Sequence, residues 1–333
     1  MQNRTKAAIG GALALSITLG LGGQALADPP TGVTPKATDI VGVGSDATQY
    51  VVDALAKAYD AGTTHPIKLY SWDAVGSSPI VTKAGKAPIT RPAGGNAGVA
   101  ALLADTTGAI DFARTTAPKK TDGSQNSLTF YSFARDGVTW AAVKSTKTPT
   151  NLTSAQLKSI FTCQTTNWNQ VSATLPSGTI HPFLPASTFA LRTFFEGAIG
   201  ITDAQVGACV GTLAEQSNGK LLNNDPLAIA PYSISNYLAQ KKAVVPNNIG
   251  GTTLRSIDST APTVTVKKVV QINPAFSPTY LRLVYNVVKT ASLATNPNLT
   301  KIFAKGGFFC THTAIIKKYG FGTLGAGACG IAS

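Results

Sequence analysis

Apolar and polar positions along the chain alternate between two periods. Asp39-Ile-Val-Gly-Val43 is a short apolar run and reads as a strand. Gly44-Ser-Asp46 follows as a turn with helix-capping chemistry, and Thr48 to Tyr59 carries the helical period. There Val51, Val52, Leu55, Ala58 and Tyr59 fall on one face. Ile67 to Trp72 reads as a second strand, Gly76-Ser-Ser78 as a turn, Ala97 to Leu103 as a short helix and Ala109 to Phe112 as a third strand. Leu128 to Val143 is a long β-rich run interrupted by Arg135-Asp-Gly137, and it could carry the chain from one lobe to another. Asn151 to Phe161 reads as a helix, with Thr153 and Gln156 as a capping box; Thr202 and Gln205 repeat the device. Further helices are expected over Arg192–Ile199 and Tyr280–Lys289, with strands over Ala228–Tyr232 and Val264–Ile272, the latter as the return crossing. Alternating strands and helices imply an α/β sheet.

The first residues change the picture of where the protein works. Arg4 and Lys6, the apolar run Ala7–Leu21 and the small-x-small site Ala25-Leu-Ala27 read as a signal peptide over residues 1–27, with a mature start near Asp28. No Cys follows the site, so a soluble, exported protein without a lipid anchor is expected, either periplasmic or secreted. The remaining length, about 300 residues, suits two domains or one large one. The charge of +13 favours anionic partners, or serves only as a solubility surface. Its basic residues are scattered singly or in pairs, without interleaved aromatics, which speaks against nucleic acid. Four cysteines in an oxidising compartment suggest two disulfides. Three connectivities are possible, and the sequence-local pairs Cys163–Cys209 and Cys310–Cys329 are the simplest. With no CxxC, and with His65, His181 and His312 away from ligand spacing, a metal site is not expected.

Catalysis finds no support. Ser45 lies outside a Gly-x-Ser-x-Gly elbow, no histidine is placed to serve it, and no carboxylate pair suits a glycosidase. Anion binding has more candidates. Gly44, Ser45 and Asp46 form a small-residue turn before a helix, where backbone N–H groups favour negative charge, or they simply cap it. Ser77 and Ser78 offer hydroxyls, or merely turn the chain. Arg114, flanked by Thr115 and Thr116, is a cation at a strand end, suited to clamp an oxyanion or to form a surface salt bridge. Arg192 opens a helix whose positive dipole end would prefer an acid, which is easier to understand with an anion nearby.

The order Gly42-Val-Gly-Ser-Asp46, Gly76-Ser-Ser78, Asp111-Phe-Ala-Arg-Thr-Thr-Ala-Pro118, Leu157-Lys-Ser-Ile-Phe161 with Thr166-Asn-Trp-Asn-Gln-Val171, then Ala228-Ile-Ala-Pro-Tyr-Ser233 resembles the phosphate-binding proteins of phosphate ABC transporters. The resemblance covers nearly the whole mature chain, and the Ile-Phe…Thr-Asn-Trp-Asn segment is its most specific part. It implies a type II periplasmic-binding-protein fold: two α/β lobes joined by two crossing strands, with ligand in the cleft. Lobe 1 would comprise residues 28–140 and 265–333, and lobe 2 residues 141–264. The implied protein is a non-enzymatic, monomeric receptor that needs no cofactor. It would bind phosphate or a related oxyanion and deliver it to an inner-membrane ABC permease. The candidate ligand contacts are Gly44, Ser45, Asp46, Ser77, Ser78, Arg114, Thr115, Thr116, Ser187, Thr188 and Arg192.

Three departures qualify the site. Thr116 stands where the family has an Asp that accepts the proton of hydrogen phosphate. Thr188-Phe-Ala-Leu191 replaces a Gly-Ser-Gly-Thr nest, and the family's Arg falls at about Pro185. Arg192 could supply the charge and Asp46 could accept the proton. A degenerate member that binds another small ligand, or acts as a secreted interaction protein, is the alternative expectation.

Overall fold

The computed structural model describes residues 28–62, 65–145 and 147–333. The expected signal peptide lies outside the described residues. The first half of the chain builds β1 (Ile40–Gly44), α1 (Gln49–Asp60), β2 (Leu69–Ser71), α2 (Gly95–Ala104), β3 (Phe112–Thr115) and β4 (Leu128–Val143). Strands β1, β2 and β3 are parallel, with Gly42 opposite both Ser71 and Phe112. Helix α1 buries Val51, Val52, Leu55 and Tyr59, as its period requires, against Phe112, Phe133, Phe303 and Phe309 on one face of the sheet. The other face packs Val43, Val99, Leu102, Ala113, Phe130 and Val287. Helix α2 can approach β1 closely because Gly98 meets it: a Cβ there would lie 2.5 Å from the Cα of Gly44.

The second half comprises β5 (Asn151–Leu152), α3 (Ser154–Phe161), α4 (Trp168–Val171), β6 (His181–Pro185), α5 (Ala190–Ala198), β7 (Gly211–Leu213), β8 (Ala228–Ser233), α6 (Ile234–Lys241), β9 (Thr252–Leu254), β10 (Ser256–Ile257), β11 (Thr263–Val266), β12 (Val269–Ile272), β13 (Leu281–Lys289) and β14 (Gly322–Thr323), with short helices between β13 and β14. The main sheet runs β2-β1-β3-β13-β4-β8-β6-β7, with β9 and β14 also on β4. A separate core packs Trp140, Leu157, Phe161, Trp168, Phe195, Ile234, Phe276 and Tyr280. The two disulfides join Cys163 to Cys209 and Cys310 to Cys329, the sequence-local pairing.

Strand β4 is continuous through Arg135-Asp-Gly137. What changes there is its partner: Leu128–Gly137 pairs with β13, and Val138–Ala141 with β8. Three expectations are corrected. Leu281–Lys289 is a strand, not a helix. Its β-branched and aromatic residues are buried on both faces, Val284 and Val288 in one cluster and Val287 in another, which hides the strand period. Val264–Ile272 is not a single crossing strand but the hairpin β11–β12, which turns at Lys267-Lys268, both with positive φ (47° and 67°). The third strand begins at Phe112 rather than Ala109, because Asp111 turns its carboxylate onto the N–H of Val41 (2.7 Å) and the ammonium of Lys83 (2.6 Å).

Candidate functional site

The C-terminal ends of β1 and β3 lie side by side. Gly44 pairs with Arg114, and the N–H of Ser45 donates to the carbonyl of Arg114 at 3.0 Å. Gly44 has φ +115°, and a Cβ there would come within 2.6 Å of that carbonyl, so the turn out of β1 requires glycine. The same ends hold Thr115 and Thr116, both buried. Thr115 Oγ1 accepts from the N–H of Ala117, which shapes the exit from β3. Thus Gly44, Ser45, Asp46, Arg114, Thr115 and Thr116 are brought together, as α/β topology brings strand ends to one edge.

Arg114 is fully buried, and its guanidinium is committed locally. It donates to the carbonyls of Ser45 (3.3 Å), Gly44 (3.1 Å) and Trp72 (2.7 Å), and to Ser71 Oγ. Burial pushes its pKa down to about 10, against the pull of Asp73, Asp46, Asp53 and Asp28. Arg114 therefore ties the ends of β1 and β2 together. Ser77 and Ser78 are exposed in the loop after β2 and serve another arginine: Ser78 Oγ accepts from the N–H of Arg91, and the Ser77 carbonyl accepts from Arg91 Nε at 2.7 Å. Arg91 is also held by both carboxylate oxygens of Asp28, each at 2.8 Å.

Ser187 and Thr188 are exposed between β6 and α5. A Cβ on Gly94, the residue before α2, would lie 3.7 Å from the Thr188 carbonyl, so this loop faces the N-terminus of α2. Arg192 sits two residues into α5. Its Nε donates to Glu196 (2.8 Å) and Asp203 (2.9 Å), its Nη2 to Asp203 (2.5 Å) and its Nη1 to the Pro185 carbonyl. Two carboxylates thus compensate the one cation that the helix start would otherwise leave for an anion.

Asp46 makes a contact between the two halves. Both of its carboxylate oxygens accept from Gln216 Nε2, at 2.6 and 2.7 Å, across 170 positions of sequence. Burial pushes the Asp46 carboxyl above its usual range, opposed chiefly by the Gln216 hydrogen bond and also by the charge of Arg282. Arg282, at the start of β13, donates through Nε (3.1 Å) and Nη2 (2.9 Å) to the fully buried carboxylate of Asp136 in β4. Asp136 also accepts from Ser233 Oγ (2.9 and 3.0 Å) and the N–H of Ser235 (3.1 Å). The charged pair thus sits where β4 exchanges β13 for β8. Sequence reasoning missed Gln216, Arg282 and Asp136. The Arg135-Asp-Gly137 break in an apolar run was the one available signal for Asp136, and reading β13 as a helix concealed Arg282.

No helix among the described residues is long and apolar enough to cross a membrane. No curated protein sequence matches the chain. Among solved structures, the fold is similar to an ABC-type phosphate transport receptor from Vibrio cholerae, at 21% identity and a TM-score of 0.58, covering 86% of this chain and 100% of that one. It is also similar to a putative phosphate ABC transporter substrate-binding protein with bound phosphate from Clostridium perfringens, at 15% identity and a TM-score of 0.61, with the same coverage. A phosphate-binding protein from Stenotrophomonas maltophilia matches at 12% identity and a TM-score of 0.53, over 87% of this chain and 91% of that one. These likenesses establish a type II periplasmic-binding-protein fold. The family model described as PBP superfamily domain matches residues 29–299, and the chain belongs to that superfamily.

Proposed function

We propose that this protein is an exported receptor that takes phosphate, or a closely related oxyanion, into a cleft between two lobes and passes it to an ABC permease. The lobes would be residues 28–137 with 281–333, and residues 138–280. The exchange of partners along β4 supports a first boundary at 137/138, beside the expected 140, and the packing of Ile272, Phe276 and Tyr280 with the second core is the ground for proposing 280/281 as the second in place of the expected 264/265. The observation that carries the reading is the Asp46–Gln216 contact. It places the turn between β1 and α1 against the far half of the chain, at the strand ends where α/β sheets take ligands. Three kinds of support accompany it: the solved relatives named for phosphate, the net charge of +13, and two disulfides that suit an oxidising compartment.

The test is thermal unfolding in the presence of phosphate or sulfate. A ligand bound only by the folded state stabilises it, by about 4 kcal/mol at a thousandfold excess over Kd. The midpoint is expected to rise with phosphate in a saturating manner and to respond far less to sulfate. No response to either anion at millimolar concentration would reject the phosphate reading. It would favour the second one, a scaffold serving another solute, to which the compensated Arg192 and the apolar Phe189 and Leu191 already point.

A further inference from the structure

The groups that the sequence suggests as anion-holding cations are already engaged: Arg114 with carbonyls, and Arg192 with Glu196 and Asp203. Arg282 is different. Its Nε and Nη2 edge is anchored on Asp136, the residue is only 6% exposed, and its Nη1 is buried with no hydrogen-bond partner among the described residues. A guanidinium desolvated to this degree with a free N–H group has a strong remaining capacity to donate. Its place is fixed from both halves. Its charge acts on the Asp46 carboxyl, and the ring of Phe194 from α5 lies 5.4 Å from its central carbon.

Gln216 carries the complementary group. Both carboxylate oxygens of Asp46 accept from Gln216 Nε2, so the NH2 of the amide faces Asp46. The amide oxygen is then on the opposite side, and Gln216 Oε1 is likewise buried without a hydrogen-bond partner among the described residues. The neighbouring Ser217 Oγ accepts from the N–H of Ser233, whose own hydroxyl donates to Asp136, so the polar chain runs from Asp46 back to Arg282. Among the described residues, Arg282 Nη1 and Gln216 Oε1 are the unmatched atoms at its two ends.

We propose that Arg282 and Gln216 hold and select the anion, with Arg282 Nη1 donating to an oxygen of hydrogen phosphate and Gln216 Oε1 accepting its proton. The inference rests on the phosphate reading above. It assigns selectivity to a neutral amide oriented by Asp46, in place of direct proton acceptance by Asp46. A fully ionised oxyanion such as sulfate satisfies Arg282 but has no proton for Gln216. Leaving that acceptor unpaired should weaken sulfate about 10- to 100-fold relative to phosphate.

The experiment is calorimetric titration of ligand-stripped wild type, Gln216→Leu and Arg282→Lys with phosphate and with sulfate, near-UV circular dichroism confirming the fold of each. Lysine keeps a cation beside Asp136. Gln216→Leu leaves the Arg282–Asp136 pair intact and decides the question even if Arg282→Lys does not fold. Gln216→Leu should lose most of the discrimination between the two anions, and Arg282→Lys should bind phosphate at least about tenfold more weakly. Wild-type affinity and selectivity in Gln216→Leu would overturn the inference while leaving phosphate binding in place. A wild type that binds neither anion would overturn both.

Discussion

Asp53 in α1 shows how single residues in this half of the molecule are set by their surroundings. Burial, with the nearby charge of Asp73, pushes its carboxyl up to about 7, and Lys57 and Arg114 only partly oppose this. A carboxyl whose folded pKa lies above its unfolded one adds stability while protonated and loses it as pH rises. The loss therefore falls between about pH 4 and pH 7. Asp53→Asn imitates the protonated form, so it should be near neutral at pH 4 and should raise the unfolding midpoint at pH 8. An unchanged midpoint difference across that range would contradict the assignment. At the same scale, Arg282→Met should cost about 3–5 kcal/mol in a chemical denaturation measurement, because Asp136 would be left buried and uncompensated. Sequence showed which residues could bind an anion: hydroxyls and cations beside strand ends. It could not show which were already engaged, because the partners of Arg114 lie 42 to 70 positions away and that of Asp46 lies 170 away.

Elements were legible where one face met solvent and opaque where both were buried or both exposed. The apolar stripe of α1 and the Thr153/Gln156 box of α3 are local signals, and both appear as expected: Thr153 Oγ1 accepts from the N–H of Gln156 and the Gln156 side chain returns the bond. Strand β13 gave no apolar–polar alternation because its polar Arg282 and Asn286 are buried, its Leu283 is exposed, and Val287 and Val288 pack into different cores. In the β11–β12 hairpin the sequence Thr263-Val-Thr-Val-Lys-Lys-Val-Val-Gln-Ile272 is β-favouring throughout, and the two lysines do not announce a turn. They nevertheless occupy positive φ, a conformation that favours Asn and Gly. Replacing Lys267-Lys268 with Asn-Gly should raise stability by about 0.5–1 kcal/mol. A loss of stability in denaturant titration would show that the turn is held by something other than its backbone geometry.

For the whole molecule, the alternation of strands and helices and the family-like order of short motifs conveyed the α/β fold, while the continuity of β4 through Arg135-Asp-Gly137 and the return path had to be read from pairing and packing. The disulfides act at this scale as well. The Cys163–Cys209 loop spans 46 residues and the Cys310–Cys329 loop 19. Loop-closure entropy predicts that the longer bridge stabilises by about 0.8 kcal/mol more, within typical totals of about 2–5 kcal/mol each. Paired Cys-to-Ser variants in denaturant titrations check both the size and the order. In the proposed function, the two halves hold one oxyanion between them at the β1–α1 turn. The most direct measurement is calorimetric titration of protein unfolded and refolded to strip ligand, with phosphate and then sulfate. Phosphate is expected to bind saturably and one-to-one, with sulfate at least about tenfold weaker. Absence of heat and of saturation with both anions would contradict it.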